Sequence, residues 1–426
     1  MTAPALVPPP LGGGTRLDPA ARRVVLRLLA RLSEGSVVVE ENGVRRHFGP
    51  GRAGEPRVVV RVRSPHAYLA VLRGSVGLAR GYVDGLWDCD DVAGLVRILA
   101  RNLGPLDRWR GALHPLVASA RDSARLLRWN TRRRAGRRVR AHYDLGNDLF
   151  SVMLDQTMAY SCGVFPRPGA SLEEASLEKL DLVCRKLGLL PSHHVVETGG
   201  GWGGFAIHAA RTYGCRVTTT TLSPAQRDLA AERVARAGVS DRVRVLLMDY
   251  RDLRGRYDRL VSIEMVEAIG WQLYGSYMRS CARLLKPDGA MVIQAIVTSD
   301  RQYREWRSAN GLANTVIFPG GTIPSVEALL EPARRHTDLR LLHLEDITRH
   351  YPPTLRAWRE RFRDGLARLD RQRYGGRFAR FWEFYLAYCE GAFAERRIRD
   401  VQMVLARPRH RVAGPGAPAL SGAPGA

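Results

Sequence analysis

The residues best suited to chemistry form a glycine cluster that follows a short apolar segment. Val195 and Val196 are typical of the end of a buried strand, and residues 198–204 then contain five glycines. An amphipathic segment with Phe205 and Ile207 comes next. Glycine adopts backbone angles that other residues avoid, and it lets a ligand approach the main chain. The order of strand, glycine turn and helix therefore predicts a nucleotide-type ligand at the carboxyl edge of a parallel sheet.

The spacing of the glycines narrows the choice of ligand. It differs from the G-x-G-x-x-G pattern of dinucleotide-binding turns. Glu197, Gly199, Gly201 and Gly203 instead follow the pattern Glu-x-Gly-x-Gly-x-Gly. This pattern resembles the first loop of S-adenosylmethionine (SAM) methyltransferases. A tight turn without a ligand is the alternative interpretation.

Three further predicted strands end in polar residues at the same edge of the sheet. Taken singly, several of these residues could equally be helix caps or turn residues. Four consecutive strand ends that suit one ligand nevertheless favour a SAM site. The residues are Thr221 and Gln226 for the ribose, Asp249 and Tyr250 for the adenine, and the acids Glu264 and Glu267 at the ligand edge.

The elements that must position these residues alternate between strand and helix. Such alternation predicts a mostly parallel sheet with helices on both faces. The expected fold is α/β, a Rossmann-like seven-stranded SAM-dependent methyltransferase domain preceded by a small α+β domain. Strands are predicted at 194–198, 215–221, 242–248, 258–264, 290–297, 339–345 and 400–406, and helices at 172–187, 204–213, 224–237 and 272–285.

Changes in composition along the chain predict its division into domains. Residues 17–103 form the small α+β domain, with a helix over 22–33 and strands over 36–41 and 57–62. A basic linker over 104–140 leads to the methyltransferase domain over 141–407. The ends, 1–16 and 408–426, are rich in Pro, Gly and Ala and are predicted to be disordered.

The charge of the chain points to an anionic partner. Lys and Arg total 66 against 42 Asp and Glu, which gives a net charge of +24. A basic field attracts nucleic acid or an anionic lipid surface, although codon usage that favours Arg over Lys would give the same composition. No nucleic-acid-binding motif accompanies the charge. The densest cluster comprises Arg132, Arg133, Arg134, Arg137, Arg138 and Arg140.

The cysteines and the apolar segments indicate the compartment. The six cysteines form no C-x-x-C pair, so neither a metal site nor a disulfide framework is predicted, and a reducing cytosol is expected. The first residues lack the features of a signal peptide. No apolar stretch is long enough to span a membrane.

Several segments beyond residue 141 resemble the cyclopropane-fatty-acyl-phospholipid synthase family. That family includes the mycolic acid cyclopropane synthases and the fatty-acid methyltransferases. The resemblance covers about residues 141–406, and its motifs are specific. They are His142-Tyr143-Asp144-Leu145-Gly146-Asn147-Asp148-Leu149-Phe150, Tyr160-Ser161-Cys162, Gly201-Trp202-Gly203-Gly204, Asp249-Tyr250-Arg251-Asp252, Ile317-Phe318-Pro319-Gly320-Gly321 and Pro324-Ser325.

The resemblance implies a mechanism and a set of site residues. The π electrons of an isolated cis double bond take the methyl group of SAM, and a bound bicarbonate removes a proton from the resulting carbocation. The site must be dry and must stabilise positive charge. Gly200 stands where the family has Cys or Thr, which we expect to loosen the glycine turn. The bicarbonate pocket would comprise Cys162, Glu267, Ile296, Tyr351 and Gln294, the last at a position where many members have His. The SAM contacts would be Tyr160, Ser161, Gly199, Gly201, Trp202, Thr221, Gln226, Asp249 and Tyr250.

The expected function is SAM-dependent transfer of a methyl or methylene group to unsaturated phospholipid acyl chains, giving a cyclopropane or methyl-branched fatty acid. The expected partners are an anionic phospholipid membrane surface and the acyl chain, with no nucleic acid; a homodimer is left open. The expected location is cytoplasmic, peripheral at the inner face of the plasma membrane. Two alternatives stay open: a methyltransferase for a small soluble substrate, and an inactive lipid- or nucleic-acid-binding module.

Overall fold

The computed structural model describes residues 18–102, 145–306 and 321–411. The predicted linker, its arginine cluster and the Phe-Pro-Gly motif lie outside these residues, as do the N-terminal segment and most of the predicted C-terminal tail. The described residues form two compact units. One unit joins 18–102 to 355–397, and the other comprises 145–306, 321–354 and 398–411.

The first unit contains a four-stranded sheet in the order β2-β1-β3-β4. The strands predicted at 36–41 and 57–62 are confirmed as β1 and β3, which pair in parallel. Strand β2 was not predicted, although Asn42 and Gly43 between β1 and β2 have the positive φ angles of a tight hairpin. The strands are β1 (Ser36–Glu41), β2 (Val44–Phe48), β3 (Arg57–Val62) and β4 (Trp87–Cys89), and the helices are α1 (Asp18–Leu29), α2 (His66–Leu72), α3 (Ser75–Val83) and α4 (Val92–Arg101).

Three C-terminal helices belong to this first unit. Gly391 allows the last of them to pack closely on α4, because a Cβ atom at Gly391 would lie 2.7 Å from the carbonyl oxygen of Ala93. Arg97 of α4 also pairs with Glu395 over 2.8 Å. The sequence places these helices in the methyltransferase domain, and the structure groups residues 355–397 with the N-terminal residues instead. The helices are α12 (Tyr351–Gly365), whose first four residues belong to the second unit, α13 (Arg371–Tyr374) and α14 (Arg377–Ala394), counting the described helices in chain order.

The second unit contains the predicted seven-stranded sheet, in the order β10-β11-β9-β8-β5-β6-β7. All neighbours pair in parallel except β11, which is antiparallel to both β9 and β10. The seven predicted strands are confirmed within one residue, except that β9 begins at Leu285 rather than at 290. The strands are β5 (His194–Thr198), β6 (Arg216–Thr221), β7 (Val243–Leu247), β8 (Tyr257–Ile263), β9 (Leu285–Val297), β10 (Arg340–Asp346) and β11 (Arg399–Ala406).

Apolar side chains cover both faces of this sheet. Adjacent residues of a strand point to opposite faces, and Val195 and Val196 accordingly belong to two different core clusters. The four helices predicted in this region are confirmed to within two residues. The described helices of the unit are α5 (Asn147–Met153), α6 (Leu172–Leu187), α7 (Gly204–Tyr213), α8 (Pro224–Arg236), α9 (Tyr274–Leu284), α10 (Asp300–Trp306) and α11 (Val326–His336).

The strand order places a ligand crevice at the centre of the sheet. The chain continues from β5 to β6 on one side, whereas β8 pairs with the other side of β5. Open α/β sheets bind ligands where the strand order reverses, beyond the carboxyl ends of the strands. Within the described ranges, no helix has the length and apolar character needed to cross a bilayer.

Candidate active site

A cavity opens at the carboxyl ends of β5, β6 and β8. All nine residues predicted to contact SAM lie in its wall. Their arrangement around one space is what a SAM site requires, while their individual contacts with SAM stay predictions. They are Tyr160, Ser161, Gly199, Gly201, Trp202, Thr221, Gln226, Asp249 and Tyr250.

The turn after β5 depends on alternate glycines. Gly199, Gly201 and Gly203 have φ angles of 79°, 54° and 82°, which favour glycine. A Cβ atom at Gly199 would lie 2.6 Å from the side chain of Met265, whereas one at Gly201 would meet nothing within 4 Å. Gly201 therefore exposes its main chain to the cavity, as a ligand-binding turn requires.

The expectation that Gly200 loosens the turn is wrong. A Cβ atom at Gly200 would lie 1.8 Å from the hydroxyl oxygen of Thr219 and 2.6 Å from a carboxyl oxygen of Glu197. The Thr219 hydroxyl donates to that carboxyl group over 2.6 Å. The space beside Gly200 is thus filled by a buried hydrogen bond, so this turn has no room for a side chain.

Polar side chains from the next two strand ends hold one another in place. Thr221 and Gln226 are hydrogen-bonded over 2.7 Å, both buried. The residue that caps the following helix is Ser223, whose hydroxyl accepts a hydrogen bond from the Gln226 N–H. Asp249 pairs with Arg251 over 2.6 Å at the end of β7. These contacts fix the side chains at the cavity wall.

The entrance to the glycine turn is built from aromatic rings. Trp202 packs against Phe150, with ring centroids 4.8 Å apart, and donates its indole N–H to Asn147 over 2.8 Å. Tyr160 packs edge-on against Phe150 at 5.2 Å. Residues 147–150 belong to the first motif of the predicted family, which therefore supports the wall of the cavity.

Deeper in the site, three hydrogen bonds converge on Glu264, directly after β8. The backbone N–H of Cys162 donates to Glu264 Oε1 over 2.9 Å, and the side-chain amide of Gln294 donates to the same oxygen over 2.8 Å. The Tyr351 hydroxyl donates to Oε2 over 2.7 Å. Glu264 also has a φ of 48°, unusual for a residue with a side chain. Three of the five residues predicted to bind bicarbonate thus surround a carboxyl group of the protein.

The other two predicted residues form a separate pair. The Ile296 backbone N–H donates to Glu267 Oε1 over 2.5 Å. Glu267 Oε2 is enclosed and has no hydrogen-bond partner within 18–102, 145–306 or 321–411. Burial, and to a lesser degree the charge of Glu264, raise the pKa of Glu267 to about 8. Glu267 therefore carries a proton at neutral pH.

A buried chain of polar groups continues behind Gln294. Gln294 donates to Asp400 over 2.9 Å and accepts from the amide of Gln402 over 3.0 Å. Burial and the neighbouring Glu264 raise the pKa of Asp400 well above its usual range. Burial likewise raises the pKa of the Cys162 thiol, so this cysteine is not a nucleophile at neutral pH.

Comparison with known proteins decides the family. The family model described as mycolic acid cyclopropane synthetase matches residues 130–403. The chain belongs to this family. It is 38% identical to the tuberculostearic acid methyltransferase UfaA1 of Mycobacterium tuberculosis, over 78% of this chain and 79% of that one. It is 35% identical to the cyclopropane-fatty-acyl-phospholipid synthase of Escherichia coli, over 82% of this chain and 87% of that one.

A solved structure confirms the fold. The cyclopropane synthase MmaA2 from Mycobacterium tuberculosis superposes with a TM-score of 0.59 at 29% identity, over 64% of this chain and 98% of that one. The predicted family and the seven-stranded methyltransferase fold are both confirmed. The chain is an enzyme of the SAM-dependent C-methyltransferase type, and the activity of its family is cyclopropane or methyl transfer to fatty acyl lipids.

Two acids of this site have no role among the sequence-based predictions. The sequence pattern predicts Glu264 only as an acid at the ligand edge, and it predicts nothing for Asp400. The available signal for Glu264 was its place directly after a strand, at the same edge as the glycine turn. No local signal marks Asp400, because its partners are distant in sequence.

Proposed function

We propose that this enzyme transfers a methyl or methylene group from SAM to the cis double bond of an unsaturated phospholipid acyl chain. The observation that carries the proposal is one cavity whose wall contains both the glycine turn and Glu264. The carboxyl group of Glu264 accepts hydrogen bonds from Cys162, Gln294 and Tyr351. The phospholipid substrate is supported by the Escherichia coli relative. The product is a cyclopropane, or a fatty acid with a methyl or methylene branch that keeps one double bond.

The cavity wall fits SAM on three observations. The Gly201 main chain is open to the cavity, Gln226 and Thr221 supply buried polar groups, and Asp249 stands at the end of β7. When bound, SAM supplies an electrophilic methyl group, which the alkene π electrons take while sulfur keeps the electron pair of the broken bond. Gly201 would approach the methionine part, Thr221 and Gln226 the ribose, and Asp249 the adenine.

The apolar part of the wall supports an acyl chain as substrate. Met265, Ile269 and Leu273 line the same cavity as the glycine turn. Apolar side chains exclude water, and a carbocation survives only where water cannot quench it. A small polar substrate would gain nothing from such a wall, so these residues favour lipid over the soluble-substrate alternative.

The predicted bicarbonate does not fit this site. The donors that the prediction assigns to bicarbonate are already hydrogen-bonded to Glu264. They are the Cys162 N–H, the Gln294 amide and the Tyr351 hydroxyl. A second anion at these donors would stand against the Glu264 carboxyl group. The proposed reaction therefore includes no bicarbonate.

We also propose that the enzyme works at the inner face of the plasma membrane, docked through its basic surface. The support is the net charge of +24 and the arginine cluster of residues 132–140. Basic residues near an anionic membrane contribute roughly 1 kcal/mol each. A homodimer, which the sequence leaves open, is not part of this proposal.

The test is expression in a bacterial host that lacks cyclopropane and branched lipids. Mass spectrometry of the membrane fatty acids should show unsaturated chains converted to products heavier by one methylene group, and fragmentation separates ring from branch. The control is Gly201→Val, which should give no product. Unchanged fatty acids beside methylation of a soluble compound would favour the small-substrate alternative. Lipid binding without SAM turnover would favour the binding module.

A further inference from the structure

The side chain of Glu264 occupies the place where the family resemblance puts a separate anion. Its two oxygens accept hydrogen bonds from a backbone N–H, an amide and a phenol, contributed by Cys162, Gln294 and Tyr351. We propose that Glu264 is the catalytic base of this enzyme, so that the reaction needs no bicarbonate. This inference rests on the proposed function.

The position of Glu264 suits a base. It lines the same cavity as Gly199 and Met265, and its neighbour Ile263 ends the central strand β8. Its backbone N–H donates to the Gln294 carbonyl over 2.8 Å, so strand β9 fixes both ends of the residue. A positive φ at a residue with a side chain is strained and persists where the surroundings impose it.

Of the three clustered acids Glu264, Glu267 and Asp400, Glu264 lines the cavity wall and the other two do not. Burial raises the pKa of Glu267 to about 8 and the pKa of Asp400 well above its usual range, which favours the protonated form of both acids. The Lys179 amino group also lies beside this cluster; it donates to the Ser161 hydroxyl over 2.9 Å, and burial lowers its pKa. One carboxylate facing the cavity also supplies the negative field that a developing carbocation requires.

Glu264 accepts a proton from the transferred methyl group. After methyl transfer, one carbon of the former double bond is cationic. A C–H bond of the transferred methyl group breaks, and its electron pair forms the third C–C bond of a cyclopropane ring. The proton forms an O–H bond on Glu264. If a hydride shifts first, the same electron pair forms a C=C bond and gives a methylene branch. The proton returns to solvent before the next turnover.

The experiment measures turnover in buffer freed of carbon dioxide, with vesicles of dioleoylphosphatidylglycerol and SAM. The parent enzyme should be equally active with and without added bicarbonate. Glu264→Gly should lose ~10²-fold or more in turnover, as is usual when a positioned proton-transfer group is removed. Glycine suits the φ of 48°, so this variant should fold. Added bicarbonate or formate should restore activity, because either anion can bind the vacated donors.

Glu264→Gln is the matched variant. Its amide fills the same space, so activity should be lost and small anions should not restore it. Parent activity that requires bicarbonate, or Glu264→Gln turning over at the parent rate, would overturn the proposal. Unchanged SAM affinity and thermal unfolding of both variants exclude misfolding as the cause of lost activity.

An anion-binding experiment distinguishes a failure of this inference from a failure of the proposed function. With ¹³C-labelled bicarbonate followed by NMR, Glu264→Gly should bind the anion saturably and the parent should not. This experiment needs no lipid turnover. If the parent modifies no lipid, the proposed function fails. The binding experiment still tests whether Glu264 occupies the anion site. Saturable binding by the parent then overturns the assignment of the anion site to Glu264.

Discussion

The Tyr351 hydroxyl lies 2.7 Å from Glu264 Oε2, although the two residues are separated by 87 positions. This hydrogen bond joins the start of α12 to the end of the central strand β8. Burial and the charge of Glu264 raise the pKa of Tyr351 well above its usual range, so the phenol stays a donor throughout the working pH range. Through this hydrogen bond, Tyr351 positions the carboxyl group of Glu264.

Removing this hydroxyl should slow the reaction without affecting SAM binding. A hydrogen bond to a charged group contributes about 1.5–3 kcal/mol, so Tyr351→Phe should lower kcat by about tenfold or more. Tyr213→Phe is the matched control, because its hydroxyl also donates to a carboxylate over 2.7 Å, at Asp181 outside the cavity wall. Equal kcat values for the parent and Tyr351→Phe would contradict the role given to Tyr351.

The glycine turn offers a controlled test of SAM binding. Gly201→Val should abolish SAM binding measured by calorimetry, because the new side chain would enter cavity space. Gly188→Val is the control: Gly188 shares the φ of 54° and the open surroundings, but it lies at the end of α6, away from the cavity. The two variants should lose similar stability, and only Gly201→Val should lose SAM affinity. Wild-type affinity in Gly201→Val would place SAM elsewhere.

The packing at Gly200 predicts coupled substitutions. Gly200→Ala should destabilise the protein by about 1–3 kcal/mol, the usual cost of overpacking, because its Cβ would collide with Thr219. Thr219→Ala removes the hydroxyl that blocks this space. The double variant should therefore be more stable than the sum of the single effects predicts, by about 1 kcal/mol. Denaturant unfolding of all four proteins measures the coupling, and strictly additive effects would refute the collision.

The raised pKa of Glu267 predicts a dependence of stability on pH. The unfolded state releases this proton above about pH 4.5, whereas the folded state keeps it up to about pH 8. The free energy of unfolding should therefore fall as pH rises through this window, by at most ~1.4 kcal/mol per pH unit from this group. Glu267→Gln cannot ionise, so its denaturation curves at pH 5.5 and 7.5 should differ less than those of the parent. Identical pH slopes would show that Glu267 is not held protonated.

The arginine cluster predicts salt-sensitive docking on vesicles. Replacing the six arginines of residues 132–140 with serine should weaken co-sedimentation with anionic vesicles, and raising the salt concentration should weaken that of the parent. Replacing the same six with lysine keeps the charge and should keep most of the binding. Vesicle binding by the parent enzyme that is independent of both salt concentration and lipid charge would contradict electrostatic docking. A preference for duplex DNA would favour the nucleic-acid alternative.

The sequence alone determines the sheet and the SAM side of the site. Valine runs, the alternating glycines and the polar strand ends are local patterns, and parallel strands bring their carboxyl ends to one edge by necessity. This is why the nine predicted SAM contacts all line one cavity. It also explains why the seven strands of the methyltransferase sheet were predicted closely.

Only the tertiary structure decides the chemistry beside that site. Glu264 meets Cys162, Gln294 and Tyr351 across separations of 102, 30 and 87 residues. No local pattern shows that these donors converge on a side chain rather than on a bound anion. The raised pKa values of Glu267 and Asp400 likewise follow from burial and from neighbouring charge, which arise only when β8, β9 and β11 pack together.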